Sequence, residues 1–315
     1  MISVNEQALK IVEQMMIDAD LLGLAVSRLP NGTTVIDCGI DVPGSPEAGR
    51  RYAEVCMGGL GQVTLYHLDV GGLWLPGVTI AVSRPPVACL AAQYAGWAVE
   101  TNDYFAMGSG PARALYRGDP IFDHVSYQDQ MDVGVLTLEA RQLPTEEAAE
   151  KVARKCGISP ESLYLLVAPT ASVVGSVQIA ARTVETGLHK MAEIGFDVEV
   201  LVSGSGTCPL ASIAANDLEA IGRTNDAVLY GGRAWYTMET DDARIEAVID
   251  RLPSSASDDY GTPFIELFRH YDGDFYKIDP LLFSPAEVFV NNVTSGRTFH
   301  AGGVNPDMLR RVLFS

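Results

Sequence analysis

The sequence has few cysteines for its length, and no two of them form a Cys-X-X-Cys pair. Each of the five has a small or apolar residue beside it; they are Cys38, Cys56, Cys89, Cys156 and Cys208. An odd, scattered set of cysteines in a chain this long does not make a disulfide framework. We therefore expect buried, reduced thiols.

Basic residues are also scarce. The chain has 22 Lys and Arg against 40 Asp and Glu, which gives a formal net charge of −18. Such a field opposes binding to nucleic acids and to anionic membrane surfaces. We therefore expect neither as a partner.

Long apolar runs are missing as well. No stretch approaches the roughly 20 apolar residues that a membrane-spanning helix needs, and the N-terminal segment lacks a cationic stretch followed by an apolar one. These features predict a cytoplasmic protein. The hydrophobic content of 47% is enough to drive a core, so general disorder is excluded.

Motifs for metal and nucleotide chemistry are absent. The five histidines have no close ligand spacing to one another or to cysteine. The sequence contains no P-loop, no Gly-X-Gly-X-X-Gly after a strand and no Gly-X-Ser-X-Gly elbow. We therefore expect no metal and no nucleotide cofactor.

Strand and helix patterns alternate along the chain, which predicts an α/β fold with mixed sheets. A strand is expected at AVLYGG, and helices are expected from Thr145 to Lys155 and from Asp241 to Leu252. Ser3 and Glu6 have capping-box spacing ahead of the first helix, and Asn31-Gly32 marks an early hairpin turn. A second hairpin followed by a helix near the C-terminus resembles the early order of elements. We expect two similar, intertwined α/β domains, at approximately 1–130 and 131–315 and with discontinuous limits allowed, that enclose a pocket between them.

The segment from Ser172 to Ile194 is predicted as one long helix with a polar stripe. Its polar members, Gln178, Arg182, Glu185 and His189, have offsets of 0, 4, 7 and 11, which place them on one face. The stripe is either an exposed face with an ordinary Arg–Glu pair or the lining of a cleft. In a cleft, a glutamate beside arginine would stay ionised and could accept a proton. We read His189 as an ordinary residue near a helix end.

A second candidate site is the glycine-rich turn of Gly108, Ser109 and Gly110, which leads into a helix start at Arg113. Amides at a helix start bind anions, and arginine supplies the matching charge. A plain tight turn explains the pattern equally well. Further loops at SGSGTCP, LYGGR and LPSSAS add amides and hydroxyls, so together they favour a polar ligand with anionic groups.

Over nearly its whole length the sequence resembles the methenyltetrahydromethanopterin cyclohydrolases. The matching blocks include NGTTVIDCGIDVPGSPEAG, DYFAMGSGPARAL, APTASVVGSVQIAARTVETGLHK and GRTNDAVLYGGR. The resemblance implies reversible hydration of 5,10-methenyltetrahydromethanopterin to its 5-formyl derivative in one-carbon metabolism. It also implies a homotrimer whose two α/β domains flank the pterin pocket, with no metal or separate cofactor.

The resemblance further implies that Arg182 and Glu185 are the catalytic pair. Substrate contacts are expected from Gln178, from the glycine-rich turn with Arg113, and from Tyr230. Archaeal members often carry lysine where this chain has Tyr94, so that contact or the preferred substrate form is expected to differ. Two alternatives stay open: a phosphotransferase that uses the Gly108–Arg113 loop, and a protein that binds pterins or anions without catalysis.

Overall fold

The computed structural model describes residues 2–273 and 277–314. The α-helices are α1 (Val4–Ile17), α2 (Ala19–Leu22), α3 (Pro46–Cys56), α4 (Arg113–Tyr116), α5 (Glu146–Cys156), α6 (Val173–Ala180), α7 (Thr183–Glu193), α8 (Asp217–Gly231), α9 (Asp242–Glu246), α10 (Phe264–His270) and α11 (Pro306–Leu313). The strands are β1 (Ala25–Arg28), β2 (Thr34–Asp37), β3 (Gly61–Val70), β4 (Leu73–Ser83), β5 (Trp97–Glu100), β6 (Phe105–Ser109), β7 (Gly134–Glu139), β8 (Leu163–Ala168), β9 (Leu201–Pro209), β10 (Arg233–Met238), β11 (Glu287–Asn292) and β12 (Thr298–Gly302). A π-helix spans Pro86–Gln93.

The chain divides into two compact units, each built from two segments. The first unit comprises Met1–Gln62 and Val87–Gln178, and the second comprises Val63–Pro86 and Ile179–Ser315. These units divide the chain at other points than the approximate domains 1–130 and 131–315. The domain limits, the similarity of the two domains and the pocket between them stay predictions.

The first unit is a sheet covered by helices on both faces. Its six strands follow the order β1-β2-β8-β7-β6-β5, and β2, β8 and β7 run parallel. Residues of α1 and α3 pack with Ile36, Val135 and Leu166 on one face. Residues of α5 pack with Val35 and Leu165 on the other. Adjacent strand residues point to opposite faces, so both faces of these strands must be apolar.

The second unit has a sheet of six strands in the order β12-β11-β10-β9-β4-β3. In this sheet β10 and β11 run parallel, whereas β9 pairs antiparallel with both β10 and β4. Along β10 burial alternates, with Tyr236 fully buried and Trp235 41% exposed. This alternation is typical of a sheet with one covered face.

Several sequence predictions are confirmed. The Ser3 hydroxyl accepts a hydrogen bond from the Glu6 N–H and caps α1. Both expected hairpins form, as β1 with β2 and β11 with β12, and the fold class is mixed α/β. Four of the five free cysteines are buried and Cys156 is partly buried. No helix among the described residues is long and apolar enough to cross a membrane.

Three local predictions are wrong. The AVLYGG segment, expected as a strand, lies mostly in α8, because the Asn216 side chain caps a helix that continues to Gly231. The SGSGTCP segment, expected as a loop, lies in β9. The helix expected from Asp241 to Leu252 stops at Glu246 and continues as a 3-10 turn. The apolar run of AVLYGG suits either a strand or a helix, whereas the glycines of SGSGTCP serve close packing rather than a turn.

Candidate active site

The helix expected from Ser172 to Ile194 is interrupted at Arg182. The chain turns between α6 and α7, where the Arg182 N–H donates to the Ile179 carbonyl at 3.0 Å and the Thr183 hydroxyl donates to the Ala180 carbonyl at 2.9 Å. The expected stripe is therefore not carried by one unbroken helix. Gln178 belongs to α6, whereas Arg182 occupies the N-cap position of α7 and Glu185 lies in its first turn.

Arg182 and Glu185 form a mostly buried ion pair. An Arg182 Nη1 atom lies 3.8 Å from Glu185 Oε2, and their side chains are only 12% and 6% exposed. The arginine and the N-terminal end of α7 both favour negative charge at this carboxylate. The pair thus places a charged acceptor where little water reaches it.

Close packing fixes the start of α7 against its own sheet. A Cβ atom added to Gly187 would lie 2.1 Å from the Tyr236 hydroxyl oxygen, and that hydroxyl donates to the Val184 carbonyl at 2.9 Å. Val184 itself packs on Gly204 and Gly206 of β9, where added Cβ atoms would come within 2.7 and 3.1 Å of it. The glycines of the SGSGT segment therefore leave room for Val184 of α7 and do not form an anion-binding loop.

Gln178 bonds to a carboxylate that the sequence did not reveal. Its Nε2 donates to Glu139 Oε2 at 3.2 Å, and the Thr170 hydroxyl donates to the other oxygen of Glu139. Gln178 and Thr170 are buried, with 3% and 4% exposure. Glu139 is the last residue of β7. The structure thus places Gln178 in a polar cluster with Glu139.

The glycine-rich turn holds the end of the π-helix. The Ser109 hydroxyl donates to the Gln93 carbonyl at 2.6 Å, and the Gly110 N–H donates to the Ala92 carbonyl at 2.8 Å. Gly110 needs its glycine because its φ is +107°. Gly108 has no room for a side chain, since an added Cβ would lie 2.9 Å from the Trp97 carbonyl oxygen.

Arg113 is fully buried and already paired. Its guanidinium donates to both oxygens of Asp119 at 2.7 to 3.2 Å, and to the carbonyls of Leu90 and Ala92 at 2.9 and 3.1 Å. The same group lies 5.1 Å from the ring centre of Tyr94. Arg113 therefore supports the segment that carries Tyr94, and its expected contact with substrate stays a prediction.

Tyr230 is buried on α8. Its hydroxyl donates to the Thr262 carbonyl at 2.8 Å and accepts from the Gly261 N–H at 3.2 Å. Burial raises the pKa of this phenol, so it stays neutral at physiological pH. These bonds position the segment before α10. A substrate contact at Tyr230 stays a prediction.

The sequence analysis also missed buried charged groups. Burial raises the pKa of Asp226 to about 7 and lowers that of Lys190 to about 8. Lys190 donates to the carbonyls of Pro253 and Leu281, which gives it a structural task. Their only sequence signal is position on the buried face of a helix. Across residues 2–273 and 277–314 no group of three His, Cys, Asp or Glu side chains is placed to hold a metal ion.

Comparison with known proteins gives consistent matches along the chain. The family model described as Cyclohydrolase (MCH) matches residues 3–313. A methenyltetrahydromethanopterin cyclohydrolase of Methanocaldococcus jannaschii is 48% identical over 318 residues, covering 99% of this chain and 98% of the relative. One from Methanothermobacter marburgensis is 46% identical, covering 99% of both chains. One from Methanosarcina mazei is 42% identical, covering 98% of this chain and 97% of the relative.

Proposed function

Because the chain belongs to the cyclohydrolase (MCH) family, we propose that it hydrolyses 5,10-methenyltetrahydromethanopterin reversibly to 5-formyltetrahydromethanopterin. The observation that carries the proposal within the site is the Arg182–Glu185 pair, whose atoms lie 3.8 Å apart in a mostly buried position. Two relatives named methenyltetrahydromethanopterin cyclohydrolase align with this chain over 98% and 99% of their own length, which supports the same reaction.

The chemistry requires a base more than an electrophilic catalyst. The methenyl carbon joins N5 and N10 in a cationic amidinium, so it is already electrophilic. Water needs to be held beside it and to lose a proton as its oxygen attacks. Glu185, charged and shielded from bulk water, is suited to both tasks.

The proton count closes with one proton released. Glu185 takes the first proton from water as the C–O bond forms, which gives a neutral tetrahedral intermediate. The carboxylic acid then donates that proton to N10 while the C–N10 bond breaks and the hydroxyl proton leaves to solvent. The formyl group stays on N5. Because a proton is released, alkaline pH favours hydrolysis and acidic pH favours ring closure.

Arg182 acts as a positioning residue for Glu185. Arg182 occupies the N-cap position of α7, and its carbonyl accepts a hydrogen bond from the Thr186 N–H at 2.8 Å. Its backbone is therefore fixed, and its guanidinium limits where the carboxylate can turn.

The test replaces the base and a matched residue of the same helix. Glu185→Gln should lower kcat by about 10²- to 10⁴-fold, the usual range for loss of a general base. Glu193→Gln is the control, since Glu193 ends α7, its side chain is 44% exposed, and its carboxylate lies 3.4 Å from the His189 ring. Turnover is followed by loss of the methenyl chromophore, with methenyltetrahydrofolate as the alternative substrate.

Near-normal turnover by folded Glu185→Gln would remove the proposed base. Arg182→Gln should lower activity and shift the pH profile of kcat. Tight binding of the methenyl compound without hydrolysis by the unmodified protein would indicate a pterin-binding protein instead. Circular dichroism establishes that each variant is folded.

The phosphotransferase alternative has little structural support. The N–H groups of Gly110, Ala112 and Arg113 donate to the carbonyls of Ala92, Val135 and Gly110, so this loop does not offer them to a phosphate. The helix that follows, α4, has only four residues. Magnesium-dependent nucleotide hydrolysis by the purified protein would contradict this conclusion.

The remaining parts of the proposal follow from family membership. The active form is a homotrimer in the cytoplasm, and the pterin is a substrate that carries the one-carbon unit, with no separate cofactor. Light scattering of the purified protein tests the assembly. A mass of one or two chains at assay concentration would contradict the trimer.

A further inference from the structure

The three parallel strands of the first unit end at the same edge of their sheet. Their last residues are Asp37 of β2, Ala168 of β8 and Glu139 of β7. In open α/β sheets, ligands bind in the crevice outside the carboxyl ends of the strands. Two carboxylates therefore lie at an edge where a ligand site is expected.

Only one of these carboxylates is committed to the backbone. Both oxygens of Asp37 accept from backbone N–H groups, those of Gly39, Ile40 and Asp41, at 2.7 to 2.9 Å. Asp37 is also 3% exposed, so it holds its own loop. Glu139 instead bonds two side chains and is only partly buried.

Glu139 keeps acceptor capacity after these bonds. A carboxylate has about four lone-pair sites, and the two bonds from Thr170 and Gln178 use one on each oxygen. The two partners that orient this carboxylate are neutral, a hydroxyl and an amide. A partly buried carboxylate that is oriented by neutral neighbours suits a ligand with N–H donors.

We propose that Glu139 binds the guanidine-like edge of the substrate's pyrimidine ring. This inference rests on the proposed function, because a 2-amino-4-oxopteridine carries N3–H and a 2-amino N–H side by side. Such a pair matches the two oxygens of a carboxylate, as a guanidinium does. Thr170 and Gln178 are the positioning residues that hold the carboxylate at the sheet edge.

The subsite would select the 2-amino group. Lumazine has a carbonyl oxygen where pterin has the amino group, so it keeps N3–H but directs an acceptor at the carboxylate. One donor is lost and one repulsion is gained. A protein with this subsite should therefore bind pterin about tenfold or more tightly than lumazine.

The experiment measures inhibition constants and, by calorimetry, binding of pterin and lumazine. In Glu139→Gln the pterin preference should fall to about threefold or less, because the amide presents one acceptor and one donor. Gln178→Leu should reduce the preference less, since the carboxylate remains. Glu150→Gln, an exposed residue of α5 in the same unit, should keep the wild-type ratio.

The outcomes separate this inference from the proposed function. Turnover with an unchanged pterin-to-lumazine ratio in Glu139→Gln would overturn the subsite and leave the activity intact. A ratio that depends on Glu139 in a protein without turnover would support the subsite and overturn the activity. A purely structural Glu139 would weaken both ligands equally and leave their ratio unchanged. If Glu139→Gln does not fold, Glu139→Asp should also lower the pterin preference, because its carboxylate is withdrawn by one methylene and can no longer reach both donors, and an unchanged ratio would overturn the subsite.

Discussion

Breaking the Arg113–Asp119 pair should destabilise the first unit strongly. The Arg113 side chain is 0% exposed and that of Asp119 is 9% exposed, with their closest atoms 2.7 Å apart. Removing one member of such a pair leaves an uncompensated buried charge, which costs about 3–5 kcal/mol. Asp119→Leu should therefore lower the free energy of unfolding by about this amount.

A double-mutant cycle separates the charge from the shape. Arg113→Met should cost a similar amount, because it also leaves the carbonyls of Leu90 and Ala92 without their guanidinium donor. The double variant Arg113→Met/Asp119→Leu contains no unpaired charge, so it should cost about 2 kcal/mol or more less than the sum of the single variants.

Urea unfolding followed by circular dichroism and tryptophan fluorescence measures these differences. Arg113→Lys is the charge-conserving control. It should also be less stable than the unmodified protein, because an ammonium cannot reproduce the forked contact with both oxygens of Asp119. A cost below about 1 kcal/mol for Asp119→Leu, or strict additivity in the cycle, would refute the reasoning.

Two further predictions concern the second unit. Burial raises the pKa of Asp226 from 3.8 to about 7. Between these pH values Asp226 loses its proton in the unfolded chain but keeps it in the folded protein. The free energy of unfolding should therefore fall by up to about 4 kcal/mol as pH rises through this range. Asp226→Asn keeps an acceptor for the Phe264 N–H and should flatten this profile in urea titrations; an unchanged slope from pH 4 to 7 would contradict it. Gly187→Ala should displace α7, because its Cβ would lie 2.1 Å from the Tyr236 oxygen, and should lower kcat at least tenfold. Recovery of activity in Gly187→Ala/Tyr236→Phe would identify the hydroxyl as the obstacle, and normal kcat in Gly187→Ala alone would exclude the clash.

Local patterns predicted those elements whose signals are local. The Ser3 cap, the Asn31-Gly32 hairpin and α5 after Thr145 each follow from residues within a few positions of one another. The AVLYGG segment was mistaken for a strand because its apolar run suits either element. Its helical state follows from the Asn216 cap and the packing of α8, which a short window does not contain.

The candidate site was predictable to a similar extent. The i, i+3 spacing of Arg182 and Glu185 predicted their contact, and the structure confirms that contact at 3.8 Å. The spacing argument for Gln178 assumed an unbroken helix, whereas Gln178 lies in α6 and Arg182 at the start of α7, so a shared face with Arg182 stays a prediction. Glu139 gave no signal, since its partners follow it by 31 and 39 residues.

The sequence by itself determined the α/β class, the family and the pairing of neighbours along one helix, because each depends on residue order or on spacing of a few residues. Only the tertiary structure decided that Arg113 is bound to Asp119, that Glu139 gathers Thr170 and Gln178, and that the β9 glycines receive α7. Those features arise when folding brings strands, helices and loops into contact, and the partners of Glu139 lie as far as 31 and 39 residues away along the chain. Burial then forces each polar group to find whichever partner the fold brings within reach.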